Sequence, residues 1–365
     1  MRQFAILIAS VVLLGSISAQ EDDNRDTVIR DDGRPMYVYV GSEGLEELTY
    51  SVTENAASSQ TLRYTEVSGV RYHGMGDGFW QRARQAQNAD DNQTAADNYL
   101  RLYENALQEW ERAYGLYGHG VMLETMGKHA EAIPIFRRFL EEMPEHRLVL
   151  NVLYRLGMNL VWADQSDESD QILERLKELS RGRMARRAEN RMKAITALLY
   201  IVKDQFKEAE RHARIRFSID HDEAWVFGDK EIWQHWSMVW GKALEEAEEW
   251  RDAVRHYEGM LKPLGNDPAA RATITLKLAE LKLRDSNEDG ALYDFLVLDA
   301  MPVGSPTARA RARLFAASIM LKRADQAESD QQERMRDVAK VMLQAVASSE
   351  EADYAPKATK LLESL

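Results

Sequence analysis

The chain has 365 residues, 45% of them apolar and 29% charged, with a formal net charge of −13 and no cysteine. An apolar share of that size supplies a core for a long folded chain, while the absence of cysteine excludes disulfides and a lipid-modified bacterial N-terminus. The acidic surface repels phosphate backbones and no aromatic-basic module offsets it, so nucleic acid is not expected as a partner.

Residues 1–19 read MRQFAILIASVVLLGSISA, with Arg2 ahead of an apolar run from Phe4 to Leu14 and small residues up to Ala19. That order predicts a secretory signal peptide cut near Ala19, because the run is too short to cross a bilayer. No second run of spanning length follows. The mature protein is therefore expected to be exported to the periplasm or beyond, and not to span a membrane.

Residues 20–35 (QEDDNRDTVIRDDGRP) are acidic and poor in apolar side chains, the composition of a solvated linker. Residues 36–76 alternate in a β-favouring way through MYVYV, LEELTYSV, TLRYTEV and GVRYH, which predicts a small antiparallel module of three or four strands. Gly74-Met-Gly-Asp-Gly78 follows it as a joint. A dinucleotide-binding loop would need a small residue where Phe79 stands, and a βαβ unit that this segment lacks.

From residue 77 the pattern is helical, and it repeats. Counted from Gly120, Leu123 lies three on, Ala132 twelve, Phe136 sixteen and Pro144 twenty-four. Gly241 repeats this with Leu244, Ala253 and Tyr257; Gly157 with Leu160, Ser169 and Leu173; and Ala197 with Tyr200, Ala209 and Ala213. Weaker copies start at Arg84 (Ala96, Leu100) and Ala279 (Ala291, Phe295). A small residue on each of two helices lets them cross closely, the aromatic fills the gap beside the crossing, and proline stops the pair.

This pattern resembles the tetratricopeptide repeat (TPR) family over residues 77–300, with residues 301–365 as a helical C-terminal cap. The resemblance implies a mainly α fold, a right-handed α-solenoid of helix-turn-helix units carrying the small β module at its N-terminal end. More loosely, the whole chain resembles exported bacterial proteins in which a β module precedes TPR helices. The family geometry implies a concave groove lined by Tyr114, Tyr117, Val121, Glu124, Asn151, Tyr154, Met158, Trp162, Arg191, His235, Met238 and Lys242. The lysine and asparagine set with which TPR proteins clamp a C-terminal carboxylate is not recognisable.

The stretch 224–250 holds five of the eight tryptophans and falls where the repeat spacing is longest, 44 residues from Ala197 to Gly241. Trp233, Trp236, Trp240 and Leu244 share one helical stripe, and Trp250 sits three before Ala253 as Phe206 sits three before Ala209. Trp236, Trp240 and Trp250 are thus expected in the core, with Trp225 in a loop that could hold a site. Arg181, Arg183, Arg186 and Arg187 make the strongest basic patch, either a solvated face or an anion site. Asp285 to Gly290 opens like a calcium loop but has Leu296 where the closing acid is needed, so it reads as an inter-helix turn. No metal site, cofactor or catalytic motif is predicted. The function read from these residues is an exported scaffold holding a protein or peptide. A carbohydrate-binding or polysaccharide-processing accessory using exposed Trp and Tyr is the alternative, and a helical enzyme without a recognisable motif the second.

Overall fold

The computed structural model describes residues 24–54, 58–75, 78–180, 184–213, 215, 229–264, 268–301 and 306–365. The predicted signal peptide, Trp225, Arg181 and Arg183 lie outside them. Among the described residues, no helix is long and apolar enough to cross a membrane.

The β-favouring segments form a five-stranded antiparallel sheet of β1 (Asp26–Arg30), β2 (Pro35–Glu43), β3 (Glu47–Ser51), β4 (Gln60–Arg63) and β5 (Val67–Arg71). Its order is β4-β3-β2-β1-β5, so the N-terminal strand divides β2 from β5. Here the structure corrects the sequence reading, because β1 lies inside the segment taken as a linker. Val28 pairs opposite Met36 on one side and Val70 on the other, and it is fully buried. The acidic residues flanking Thr27, Val28 and Ile29 hide a run too short to stand out by composition. Gly33, at φ 78°, supplies the left-handed conformation that the β1–β2 turn needs.

Fifteen helices follow among the described residues, mostly as antiparallel pairs. The pairs are α1 (Gly78–Asn88) with α2 (Asn92–Glu104), α3 (Glu109–Thr125) with α4 (His129–Glu142), and α5 (Val149–Trp162) with α6 (Ser166–Leu179). Next come α7 (Ala185–Ile201) with α8 (Phe206–Ala213), α9 (Asp229–Glu246) with α10 (Trp250–Leu261), and α11 (Pro268–Arg284) with α12 (Glu288–Ala300). The chain closes on α13 (Pro306–Ala324), α14 (Ser329–Ala347) and α15 (Ala355–Glu363).

A left-handed residue recurs in the turn inside each of the first six pairs: Asp90, Gly127, Asp164, Asp204, Glu248 and Ser286. Five of these stand seven residues after Gly120, Gly157, Ala197, Gly241 and Ala279, so the turn geometry keeps the period read from the sequence. The first pair corrects it by one residue. Its turn at Asp90 points back to Ala83 rather than Arg84, and twelve and sixteen residues on from Ala83 come Ala95 and Tyr99, both buried. The small residue of this pair's first helix is thus the fully buried Ala83, and Arg84 stands beside it.

The second small position of every pair is sealed. Ala95, Ala132, Ser169, Ala209, Ala253 and Ala291 all have 0% exposure. Serine is tolerated there because its hydroxyl donates to the Ser166 carbonyl at 2.6 Å, so no buried donor is left unmade. On the opposing helix, a Cβ built on Gly120 would stand 2.6 Å from Phe136 Cε1. The close crossing therefore needs glycine. The architecture is a TPR-like stack of helical pairs with an N-terminal sheet. Val28, Val38, Leu48 and Leu62 of the sheet share one apolar cluster with α3 to α5, so sheet and stack have a continuous core.

A buried ionic latch joins the two parts. Glu43, at the end of β2, pairs with Arg147 just before α5, and both are buried. The same carboxylate accepts the hydroxyls of Tyr72 and of Tyr114 (3.0 Å), and His146 Nε2 stands 3.8 Å away. Burial works to raise the Glu43 pKa, but Arg147 and His146 outweigh it and hold the carboxyl below its usual range. Burial pushes His146 down to about 4, with Arg147 adding to the effect and Glu43 opposing it.

The unfolded chain would take up a proton on this histidine near pH 6.5, whereas the folded protein resists it. Its contribution to stability is thus complete above pH ~6.5 and is lost as pH falls toward ~4, and the lowered Glu43 pKa acts in the same direction below ~4.3. Urea midpoints should show a loss of roughly 2–3 kcal/mol between pH 7 and 4.5. His146→Gln should remove most of that slope; an unchanged slope would place the acid sensitivity elsewhere.

Candidate functional site, the inner face of the stack

The first helices of successive pairs pack on one another, α5 against α3 and α7, and α7 against α9, so they set the geometry of any groove. α5 is apolar along almost its whole length (VLNVLYRLGMNLVW), yet Asn151, Arg155 and Asn159 recur every four residues. Four residues is just over one helical turn, so they form one polar stripe on a buried helix. Buried polar groups cost stability unless they are hydrogen-bonded, and this stripe meets partners on both neighbouring helices.

Arg155 lies at the centre. Its guanidinium pairs with Glu124 of α3 and with Glu231 of α9, and its Nε donates to the Tyr117 hydroxyl at 3.1 Å. Tyr117 in turn donates to Glu231 at 2.8 Å. Asn159 donates to the other oxygen of Glu124 at 2.6 Å and meets His129 Nδ1 at 2.8 Å, while His235 Nε2 stands 3.0 Å from Glu124. Because Nε2 faces a carboxylate it carries the proton, so Nδ1 accepts from the Tyr154 hydroxyl at 2.6 Å. Burial would raise the Glu124 pKa, but Arg155, then His235 and Asn159, hold it at about 2. Burial, with Glu124 adding, raises Tyr154 well above its ordinary value. The tyrosine stays a neutral donor and is no nucleophile.

Through this network α9 reaches back over two pairs to touch α3 and α5. That closure corrects the predicted groove. Tyr117, Glu124, Asn151, Tyr154, Met158 and Arg191 are all buried, four of them completely. Arg191 donates to Asn151 Oδ1 and to the Arg187 carbonyl instead of facing a partner. Tyr114 belongs to the Glu43 latch, and Val121 packs partly buried on the core. A groove lined by these residues needs an open superhelix, whereas Glu231 and His235 of α9 reach Tyr117 and Glu124 of α3 and Arg155 of α5 and fill that space.

What remains open is a rim. Trp162, at the end of α5, is 37% exposed and stacks on His129 at 6.0 Å. The Lys242 side chain is 67% exposed and pairs with Glu246 at 3.5 Å. Glu231 and His235 are partly open, and Met238 lies half-buried on the core. In the basic patch, Arg186 is exposed and Arg187 half-buried.

Of the tryptophans expected inside, Trp236 and Trp240 are buried and stack 6.4 Å apart, with Phe206 lying 5.2 Å from Trp240. Trp250 is only half-buried, with the Arg284 guanidinium 5.1 Å over its ring. Trp233 is half-buried on a cleft of about 690 Å³ between α8 and α10, beside Glu210, Asp252 and Arg255. Asp285–Gly290 is a turn in which Asn287 caps α12 by accepting from the Gly290 N–H at 3.0 Å. Among the described residues no group of three His, Cys, Asp or Glu is placed to hold a metal ion.

Sequence reasoning missed Glu43, Arg147, Arg155, Asn159 and Glu231. The four-residue recurrence of Asn, Arg and Asn within apolar α5 was a legible signal for two of them.

No protein-family model matches the sequence, and no characterised protein matches it. Among solved structures it is similar to a tetratricopeptide repeat protein from Parabacteroides merdae, at 13% identity and a TM-score of 0.32, over 78% of this chain and 96% of that one. It is also similar to the TPR2AB domain of yeast Sti1 solved in complex with pHSP90, at 15% identity and a TM-score of 0.27, over 78% of this chain and 95% of that one. The repeat fold rests on the turn period and the sealed crossings above, and not on these distant superpositions.

Proposed function

We propose that the protein is an exported interaction scaffold that holds a protein or peptide against the rim of its inner face, without catalysis. The observation that carries this reading is the locked inner wall. Arg155 and Glu124 fix α3, α5 and α9 in one arrangement, and a pre-ordered wall loses little freedom when a partner docks. The rim beside it offers an aromatic platform at Trp162 and a cation at Lys242, types suited to an acidic, partly apolar segment. Export rests on the charge and apolar order of residues 1–19.

Co-purification from the native envelope identifies the partner. Trp162→Ala and Lys242→Glu, each first shown to be folded, should each weaken it about tenfold. Undiminished affinity in both variants would remove the rim from consideration.

One observation favours a glycan instead, the 690 Å³ cleft in which Trp233 stands beside Glu210, Asp252 and Arg255. Aromatic faces flanked by planar polar groups suit sugars, whereas Tyr117 and Tyr154 are closed off from that role by burial. In that case Trp233→Ala abolishes retention on envelope polysaccharide while the rim variants retain it.

A further inference from the structure

A second candidate site is the outer face of the sheet. Val28, Val38, Leu48 and Leu62 point into the core shared with the stack. Successive side chains of a strand alternate, so the residues beside these four stand on the opposite face. There Thr27 of β1 lies opposite Tyr37 of β2 on one side and Arg71 of β5 on the other. Further across the sheet, Tyr39 pairs with Ser51, Thr49 with Thr61 and Glu47 with Arg63. Tyr37 is 47% exposed, and Arg63 and Arg71 are exposed.

Threonine and tyrosine favour strands, so the hydroxyls alone indicate no ligand. The charges do. The chain carries 60 acids against 47 basic residues, yet Arg63 and Arg71 face a single acid, Glu47, across these rows. Arg63 stands opposite that glutamate, whereas Arg71 stands opposite Thr27 and has no ion pair among the described residues. Beside it, the Arg25 guanidinium lies 5.8 Å from the centroid of the Tyr37 ring, a cation set on an exposed aromatic face. Neighbouring strands are about 4.8 Å apart, so Arg71 and Tyr37, two strands apart in one row, stand about 10 Å from each other. The short Thr27 side chain between them leaves a shallow bed.

We propose that this face binds an acidic polysaccharide. One sugar ring lies on Tyr37 beside Arg25, and the carboxylate of a neighbouring uronic acid reaches Arg71. A guanidinium fork matches a carboxylate in two parallel hydrogen bonds, and an aromatic face with hydroxyls around it suits a sugar ring. The anionic ligand follows from the arginine left without a carboxylate, and the sugar from the exposed tyrosine and the hydroxyl rows. The site is independent of the rim and of the cleft at Trp233.

The probe is tetragalacturonate, titrated into the full chain by calorimetry. Maltotetraose is the uncharged control, and tetraglutamate the acidic control without sugar rings. Saturable binding of tetragalacturonate is expected, with each control weaker by at least about tenfold. Tyr37→Ala and Arg71→Gln, both at exposed positions and each first shown to keep the parent's urea midpoint, should each weaken binding by about tenfold. Added salt should weaken the parent more than Arg71→Gln, since that variant lacks one of the screened contacts. Trp233→Ala should bind like the parent. The proposal is overturned if tetragalacturonate shows no saturable binding, or if either control binds as well. It is equally overturned if Tyr37→Ala or Arg71→Gln binds like the parent, or if Trp233→Ala abolishes binding.

Discussion

Glu43→Ala is expected to cost about 3–5 kcal/mol, because it removes the carboxylate that pairs with the buried Arg147 guanidinium. Two hydroxyls, from Tyr72 and Tyr114, would lose their acceptor at the same time, and the His146 ring would lose the carboxylate that stands 3.8 Å from its Nε2. The remaining Arg147 cannot neutralise itself at any accessible pH. The residue also bridges two parts of the fold: Arg147 N–H donates to the Glu43 carbonyl at 3.1 Å, so β2 and the start of α5 are tied through backbone and side chain together.

The loss should therefore appear first at the junction of sheet and stack. Hydrogen exchange would show β1 to β3 opening well before α11 and α12. Arg147→Met in the same chain should recover a large part of the loss, since a buried pair is often replaceable by apolar side chains of similar size. Urea melts of the two single variants and the double variant measure this. A Glu43→Ala midpoint equal to the parent would mean that the latch is dispensable.

The latch also shows where legibility in the sequence stops. The helical pairs could be read because their information is local and periodic. A small residue, another twelve on and an aromatic sixteen on recur in one stretch of chain, and the left-handed turns at Gly127, Asp164, Asp204, Glu248 and Ser286 keep that period. The one slip, Arg84 for Ala83, came where neighbouring Ala95 and Ala96 fit either register equally well. β1 was lost because Thr27, Val28 and Ile29, set among charged neighbours, carry too little pattern.

The polar networks are of another kind. Glu43 and Arg147 are 104 residues apart, and Arg155 and Glu231 are 76 apart. In sequence each looks like any of 60 acids and 47 basic residues on a helical surface. Only the curvature of the stack decides which of them meet, and that same curvature closed the groove expected to lie open. Lys242 and Trp162 stayed accessible because they stand at helix ends beyond the closure.

Phe136→Ala is expected to lose roughly 3–5 kcal/mol, as a fully buried ring leaves a cavity that the surrounding crossing cannot collapse to fill. Gly120 is its counterpart on α3, where an added Cβ would stand 2.6 Å from Phe136 Cε1 and 2.8 Å from Cζ. Gly120→Val alone should therefore cost about 1–3 kcal/mol by overpacking, even though glycine is a poor helix former.

Combined, the two changes should cost less than their sum. With alanine at 136 the space beside residue 120 is empty, and the valine side chain occupies part of the cavity that the lost ring leaves. A coupling of about 1–3 kcal/mol in favour of the double variant is the expected result. The same cycle at Gly241 and Tyr257 should behave alike, since a Cβ at 241 meets the Tyr257 ring in the same way. There the Tyr257 hydroxyl also donates to Glu245 at 2.8 Å, and its removal leaves that acceptor to be resatisfied, so Tyr257→Phe separates the ring from the hydroxyl. Strict additivity in both cycles would show that glycine and aromatic do not share one crossing, and the register of the whole stack would have to be redrawn.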